Sequence, residues 1–563
     1  MCYRFLLVAA LLLSTGACDR APSTPQPTTS PPASSTTAST AQLRRDVEAL
    51  AADAMQGRET ATPGYDRAAD YVARRMAAIG LQPAGDNGGW LQQVPLLRGT
   101  RLQAGARFDI VRSDGNRQSL VFAEQYLPNV NFLAADAHVR APAVFVGQAA
   151  VAPETGHDSF IGVDVRGKIA VLFSGAPAGL DNNRRAYISS QREKLRQLVQ
   201  RGAVGAVFVN TAMDEALQPW QRQADNWQRS AMLLRNADGR PIDAFAELQV
   251  VASVSAAAAD ALFANSGTTV AQLVQQLANG QLRAMPLPIT LDLAAPSRIE
   301  PVMSSNVVGV LPGSDPHRAD EHLVYTAHLD HLGQGHAMDG DAIYNGAMDN
   351  AVGVAIMLDS ARQLAAEPAR RKRSLLFVAL TGEEQGLLGA YWLVRQPPDG
   401  RTLVGNINLD MPVLLAPSKD VVVIGGEHSS LGDTARQAAQ DIGVMLSPDP
   451  FPEEVVFIRS DQYAFVRGGI PALYLDGGVI SADGQRHPEL AQRKFMRDNY
   501  HQPSDDMTLP IAWDDAARLA RLAARIGQQV ADAAQPPQWK PGDFFGTTFA
   551  QVPLPPAEPA AAP

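Results

Sequence analysis

Six apolar residues of "SLLFVALTGEEQGLLGA" run straight into two adjacent carboxylates, Glu383 and Glu384. A buried run that ends on like charges needs a neutralising partner, because an unpaired charge in an apolar setting is costly. Two more apolar runs end in the same manner. "HLVYTAHLDH" delivers His328, Asp330 and His331, and "GNINLDM" delivers Asp410. The stretch "YNGAMDNAVG" adds Asp349, and the late loop "NYHQPSDD" adds His501. Five of the ten histidines fall between His317 and His336, an uneven spread that points to the same region. Taken singly, each residue has an ordinary explanation: paired glutamates are usually solvated, and an Asp after a strand usually caps a turn or helix. Converging from three strand ends, they form a set of hard N and O donors for a divalent cation, and so many donors suit two ions better than one.

The elements that must position these residues follow from the apolar rhythm. From about residue 305 onward, short strand patterns ("NVVGVL", "HLVYTAH", "SLLFVAL", "GNINLDM", "DVVVIGG", "PALYLD") alternate with helical ones around residues 352–364, 430–442 and 514–530. That alternation predicts an α/β domain whose central sheet is mostly parallel and flanked by helices on both faces. In such sheets ligands bind beyond the carboxyl ends of the strands, where the candidate donors sit. Residues 41–124 open with a helical pattern and continue with β-type runs, and read as the N-terminal part of the same domain. Residues 125–288 have their own rhythm, with strands such as "APAVFVG" and "GKIAVLFSG" and a helix "EKLRQLVQRG". They hold only His138 and His157 and no acidic pair at a strand end, so they read as an inserted module without chemistry. Residues 289–535 carry the catalytic part.

Composition narrows the class. The chain has 563 residues, 46% hydrophobic and 19% charged, which is ordinary for a folded protein. A formal charge of -10 argues against a nucleic-acid partner, which needs a basic face. Both cysteines, Cys2 and Cys18, lie in the first eighteen residues, so a metal site in the folded part must use His, Asp and Glu. Residues 1–18 have the pattern of a secretory signal, and "TGAC" resembles a lipobox with Cys18 as the lipid-modified residue. The expectation is an exported protein, on the periplasmic side of a bacterial membrane and anchored at Cys18, or secreted. Residues 19–40 are Pro/Ser/Thr-rich and read as a disordered linker; residues 536–563 read as a Pro/Ala-rich tail.

The motifs "AHLDHLG", "NGAMDNAVG", "LTGEEQGLLGA", "NLDM" and "YHQPSDD" resemble, in order and spacing, those of the M28 metallopeptidases, the co-catalytic zinc aminopeptidases. "RSDQYAF" and "GGIPALYL" fit the same pattern, and "HDSFIGVDVRGKIAVL" with "KLRQLVQRGAVGAVFV" resembles the protease-associated (PA) domain that many members carry as a β-rich α+β insertion. The resemblance implies two Zn2+ ions, with other divalent ions open. His328 and Asp410 would hold one, Glu384 and His501 the other, and Asp349 would bridge them. It implies Glu383 as general base, Asp330 as the carboxylate orienting His328, and a cis peptide between Asp349 and Asn350. The implied substrate is a peptide with a free N-terminus. A carboxypeptidase of the same superfamily would need a cationic pocket, for which Arg459 and Arg467 are candidates. A glutaminyl-cyclase-type transferase would work with one zinc, and a receptor or scaffold built on a dead peptidase would be expected to have lost ligands.

Overall fold

The computed structural model describes residues 33–367, 371–551 and 554. The signal-like run, Cys18 and the larger part of the 19–40 segment lie outside the described residues. At the centre of the main sheet, the strands Ser374–Leu380, Glu321–His328, Thr402–Asn408 and Ala472–Asp476 run parallel in that spatial order. Strand Asp420–Ile424 adds antiparallel on one side and pairs onward with Met445–Ser447. On the other side Met285–Leu311 and Leu91–Arg101 pair antiparallel. The sheet is therefore mixed as a whole and parallel where the ligand candidates are.

Its central strands are buried on both faces, and the residue alternation sorts them. Leu375, Phe377 and Ala379 face one core with Leu323, Tyr325 and Ala327, under the helices Pro63–Ile79, Val352–Ala366 and Trp513–Asp532. Leu376, Val378 and Leu380 face the other with Val324, under Leu388–Arg395 and Gln462–Arg467. A period of two that is apolar on both faces is what a sheet covered by helices on each side requires.

The 27-residue strand Met285–Leu311 continues from this sheet into a second one. There its first half pairs with Arg107–Arg112 and Asp136–Phe145, and the sheet extends through Ile169–Phe173, Gly205–Val209, Val250–Val254 and Tyr126–Pro128. This second sheet reaches past the 125–288 boundaries at both ends, because Arg107–Arg112 and Arg117–Ser119 pair into it before residue 125 and residues 289–296 after residue 288. Between those limits, Ala231–Leu234 leaves it to pair with Leu91–Arg101 of the main sheet.

Composition misjudged both termini of the folded part. The helix Ala33–Leu50 starts inside the segment read as a disordered linker, where buried Ser39 donates to Asp359 Oδ2 at 2.6 Å. The tail read as Pro/Ala-rich forms the helix Phe544–Gln551 and buries Phe545 and Phe549 beside Phe457 and Tyr463. Both contacts join residues distant in sequence, which local composition cannot register. Among the described residues no helix is long and apolar enough to cross a membrane.

Candidate metal centre

Strand Glu321–His328 ends on His328, Ser374–Leu380 is followed by Glu383 and Glu384, and Thr402–Asn408 is followed by Asp410. The parallel register sets these ends side by side, with His328 opposite Leu380 and Thr326 opposite Asn408. Asp349 enters from the turn before helix Val352–Ala366, and the peptide Asp349–Asn350 is cis, as the resemblance implies. Asn350 fixes this turn to the Asp410 strand end: Nδ2 donates to Leu409 O, while Oδ1 accepts from the amides of Gly353 and Met411. Gly353 is required by the approach, since a Cβ there would lie 2.1 Å from Asn350 Oδ1 and 2.3 Å from Leu409 O.

The donors form two groups that share one carboxylate. His328 Nε2 lies 2.9 Å from Asp410 Oδ1 and 3.2 Å from Asp349 Oδ1. On the other side, His501 Nε2 lies 3.3 Å from Asp349 Oδ2 and 3.2 Å from Glu384 Oε2. His331 Nδ1 lies 2.8 Å from Glu384 Oε1 and 3.8 Å from Asp349 Oδ2. The two oxygens of Asp349 thus face opposite groups. All five residues singled out as metal donors converge, and His331 joins them.

These groups fit divalent cations on three counts. His328, Asp349 and Asp410, and separately His331, Asp349 and Glu384, each offer donor atoms within 4.8 Å of one another. His501 Nε2 is buried and close to two carboxylate oxygens, yet makes no hydrogen bond. No Lys or Arg among the described residues forms an ion pair with Asp349, Glu383, Glu384 or Asp410. The imidazoles are the groups that face these carboxylates as counter-charges. Despite burial, the carboxylates of Asp410 and Glu383 push His328 well above the usual imidazole range, and Glu384 pushes His501 up to about 10. Glu384 falls to about 2 despite burial, held down by His501.

Glu383 differs from its neighbour. Its carboxylate makes no hydrogen bond or ion pair within the described residues and faces a cavity of about 890 Å³. Burial drives its pKa well above the usual carboxylate range, and the charges of Asp410 and Glu384 add to the effect. Asp330 is fully buried, but its carboxylate does not reach the imidazole as the resemblance implies. His328 Nδ1 pairs instead with the Asp330 backbone carbonyl at 3.0 Å, the carboxylate standing 4.0 Å away. The Asp330 side chain accepts the amides of Glu383, at 3.1 Å, and Glu384, at 3.3 Å.

Two supports escaped the sequence reading. Arg58 is 1% exposed and donates to the carbonyls of Leu50, Leu329, Asn345 and Gly346, tying the His328 and Asp349 loops together. Asp505 accepts the amides of Met348 and Asp349. Only the runs "MQGRET" and "PSDD" carried any signal for them, and neither distinguishes a clamp from a surface turn. The inserted module is also closer to the chemistry than expected, since Arg192 and Phe245 line the cavity that Glu383 faces.

Buried imidazoles and carboxylates gathered at the carboxyl edge of a parallel sheet, beside an open cavity, define a metallohydrolase class of site. Residues 306–527 match the model of peptidase family M28. A "Probable zinc metalloprotease" of Pyrenophora teres f. teres (strain 0-1) is 40% identical over 115 residues, covering 20% of this chain and 23% of its own. Another from Pyricularia oryzae (strain 70-15) is 28% identical over 280 residues, covering 43% and 52%. The matches thus span about a quarter to a half of those relatives. Among solved structures, an aminopeptidase from Aneurinibacillus sp. strain AM-1 superposes with a TM-score of 0.51 at 17% identity, covering 90% of this chain and 96% of its own, a likeness of fold.

Proposed function

We propose that the protein is an exported aminopeptidase that removes N-terminal residues from peptides at a dinuclear zinc centre. The observation that carries this reading is the division of Asp349, with one oxygen turned to His328 and Asp410 and the other to Glu384 and His501. His328 and Asp410 would hold one ion, Glu384 and His501 the other, with Asp349 between them. Two divalent ions bound there supply activation of a water and polarisation of the scissile carbonyl. His331 Nδ1, at hydrogen-bonding distance from Glu384 Oε1, holds that carboxylate in place, a support of the kind that commonly orients metal ligands.

Glu383 is the proton carrier. Unpartnered, facing the cavity and raised in pKa, it takes a proton from the attacking water and returns it to the leaving amine. Asp330 sets its position by holding the amides of residues 383 and 384. An open coordination position at such a centre would accept a free α-amine, which favours a chain's N-terminus over an internal peptide bond. Export rests on the apolar run of residues 5–13 and on Cys18.

The direct experiment is zinc titration of the metal-free protein with leucine p-nitroanilide, followed by free and N-acetylated peptides. The expected result is zinc-dependent release of the first residue from free peptides alone. Cleavage of acetylated peptides at an equal rate would count against the aminopeptidase reading.

A further inference from the structure

The cavity that Glu383 faces also contains a group the reaction does not use. Arg467, at the end of helix Gln462–Arg467, is 6% exposed and lines the same space. Its guanidinium donates to the Tyr391 hydroxyl at 3.1 Å, and among the described residues no carboxylate lies within 4.0 Å of it. The acids that could neutralise it are committed elsewhere. Asp243 pairs with Arg192 at 2.9 Å and with Arg395. Glu193 pairs with Arg196 and accepts from the Tyr187 hydroxyl at 2.8 Å.

Burial disfavours the Arg467 charge, but Tyr391, Tyr463 and Asp243 outweigh it, so the guanidinium stays charged without a carboxylate on it and can give a ligand carboxylate a charge-assisted hydrogen bond. Further positive groups line the same cavity. Arg459 is exposed there and forms no ion pair among the described residues, and Gln191 and Arg192 open the ten-residue helix Gln191–Gln200, whose N-terminus favours anions. Leu387, Ile458 and Phe549 add apolar lining to the cavity, which strengthens a charge-assisted hydrogen bond formed within it. The cavity is therefore lined by the candidate metal centre at Glu383 and Glu384 and by positive groups at Arg467 and Arg459.

We propose that the part of the cavity lined by Arg467 is a carboxylate subsite, so that the enzyme selects peptides carrying a negative charge as well as a free amine. This rests on the peptidase reading and adds a substrate preference to it. The carboxylate has two sources, the C-terminus of a short peptide or an acidic side chain. A guanidinium–carboxylate contact in such a setting is worth roughly ten- to a hundredfold in affinity.

The test compares kcat/KM for matched pairs with the zinc-loaded full chain. Leu-Gly-Gly against its C-terminal amide reads the terminal carboxylate, and Leu-Glu-amide against Leu-Gln-amide reads the side chain. We expect the charged member to be favoured about tenfold or more in one pair, mainly through KM. In Arg467→Met that ratio should collapse to within about twofold, and Arg467→Lys should keep part of it. The wild-type ratios decide the matter even if a variant folds poorly. Turnover of leucine p-nitroanilide with both ratios near one would overturn the subsite and leave the peptidase reading intact. A ratio that survives in a folded Arg467→Met protein would also overturn it. No zinc-dependent turnover of any substrate would overturn the peptidase reading and the subsite with it.

Discussion

The carboxylate of Asp330 accepts the backbone amide of Glu383 at 3.1 Å, and so holds the residue proposed to handle protons instead of the imidazole two residues before it. Asparagine in its place offers one oxygen where two amides need acceptors, and turns an amide donor toward the other. Asp330→Asn should therefore lower kcat by about 10- to 100-fold while the protein keeps its zinc. Kinetics alongside elemental analysis check this. A variant that lost metal but kept full activity per bound ion would show that Asp330 acts through His328 after all.

Glu383→Gln removes the proposed proton carrier and leaves the proposed metal donors untouched. Turnover should fall by about 10²- to 10⁴-fold with zinc content unchanged. If the variant lost its metal, and regained activity on reloading, Glu383 would be a ligand and not a base.

His501 and His331 crowd the same side of Asp349 but differ in their contacts. His501 Nε2 stands 3.2 Å from Glu384 Oε2 without hydrogen bonding, whereas His331 Nδ1 is at hydrogen-bonding distance from Glu384 Oε1. His501→Ala should lose one of two ions after dialysis, and His331→Ala should retain both with weakened affinity. The opposite stoichiometries would exchange their roles.

Much of this centre was legible in the sequence, because strand ends are local signals. An apolar run that stops on a charged residue can be recognised without knowing its neighbours, and His328, Glu383, Glu384 and Asp410 all follow that rule. The remainder depends on tertiary contact. The spacing of Asp330 from His328 does not say whether the carbonyl or the carboxylate meets the imidazole. Arg58 spends its donors on four carbonyls, three of them more than 250 residues away. The tail helix reads as low-complexity sequence until Phe545 and Phe549 meet Phe457 and Tyr463.

In the inserted module, Lys194 is 1% exposed and donates to the carbonyls of Gln148 and Gly175. Burial lowers its pKa from 10.5 to about 7. The unfolded chain then binds the extra proton between those values, so stability is gained as pH rises through that window and lost as pH falls toward 7. Urea unfolding between pH 7 and 9.5 should show wild-type stability rising relative to Lys194→Met, with about 1.4 kcal/mol attached to each pKa unit. Parallel pH profiles for the two proteins would mean that the buried amine stays charged.

The central claim is that Asp349 divides its two oxygens between two cations. Anomalous scattering at the zinc edge, from crystals of the zinc-loaded protein, reads this directly. The expected map has two peaks, one between Asp349, His328 and Asp410 and one between Asp349, Glu384 and His501. A single peak, or peaks that leave Asp349 uncoordinated, would contradict the account.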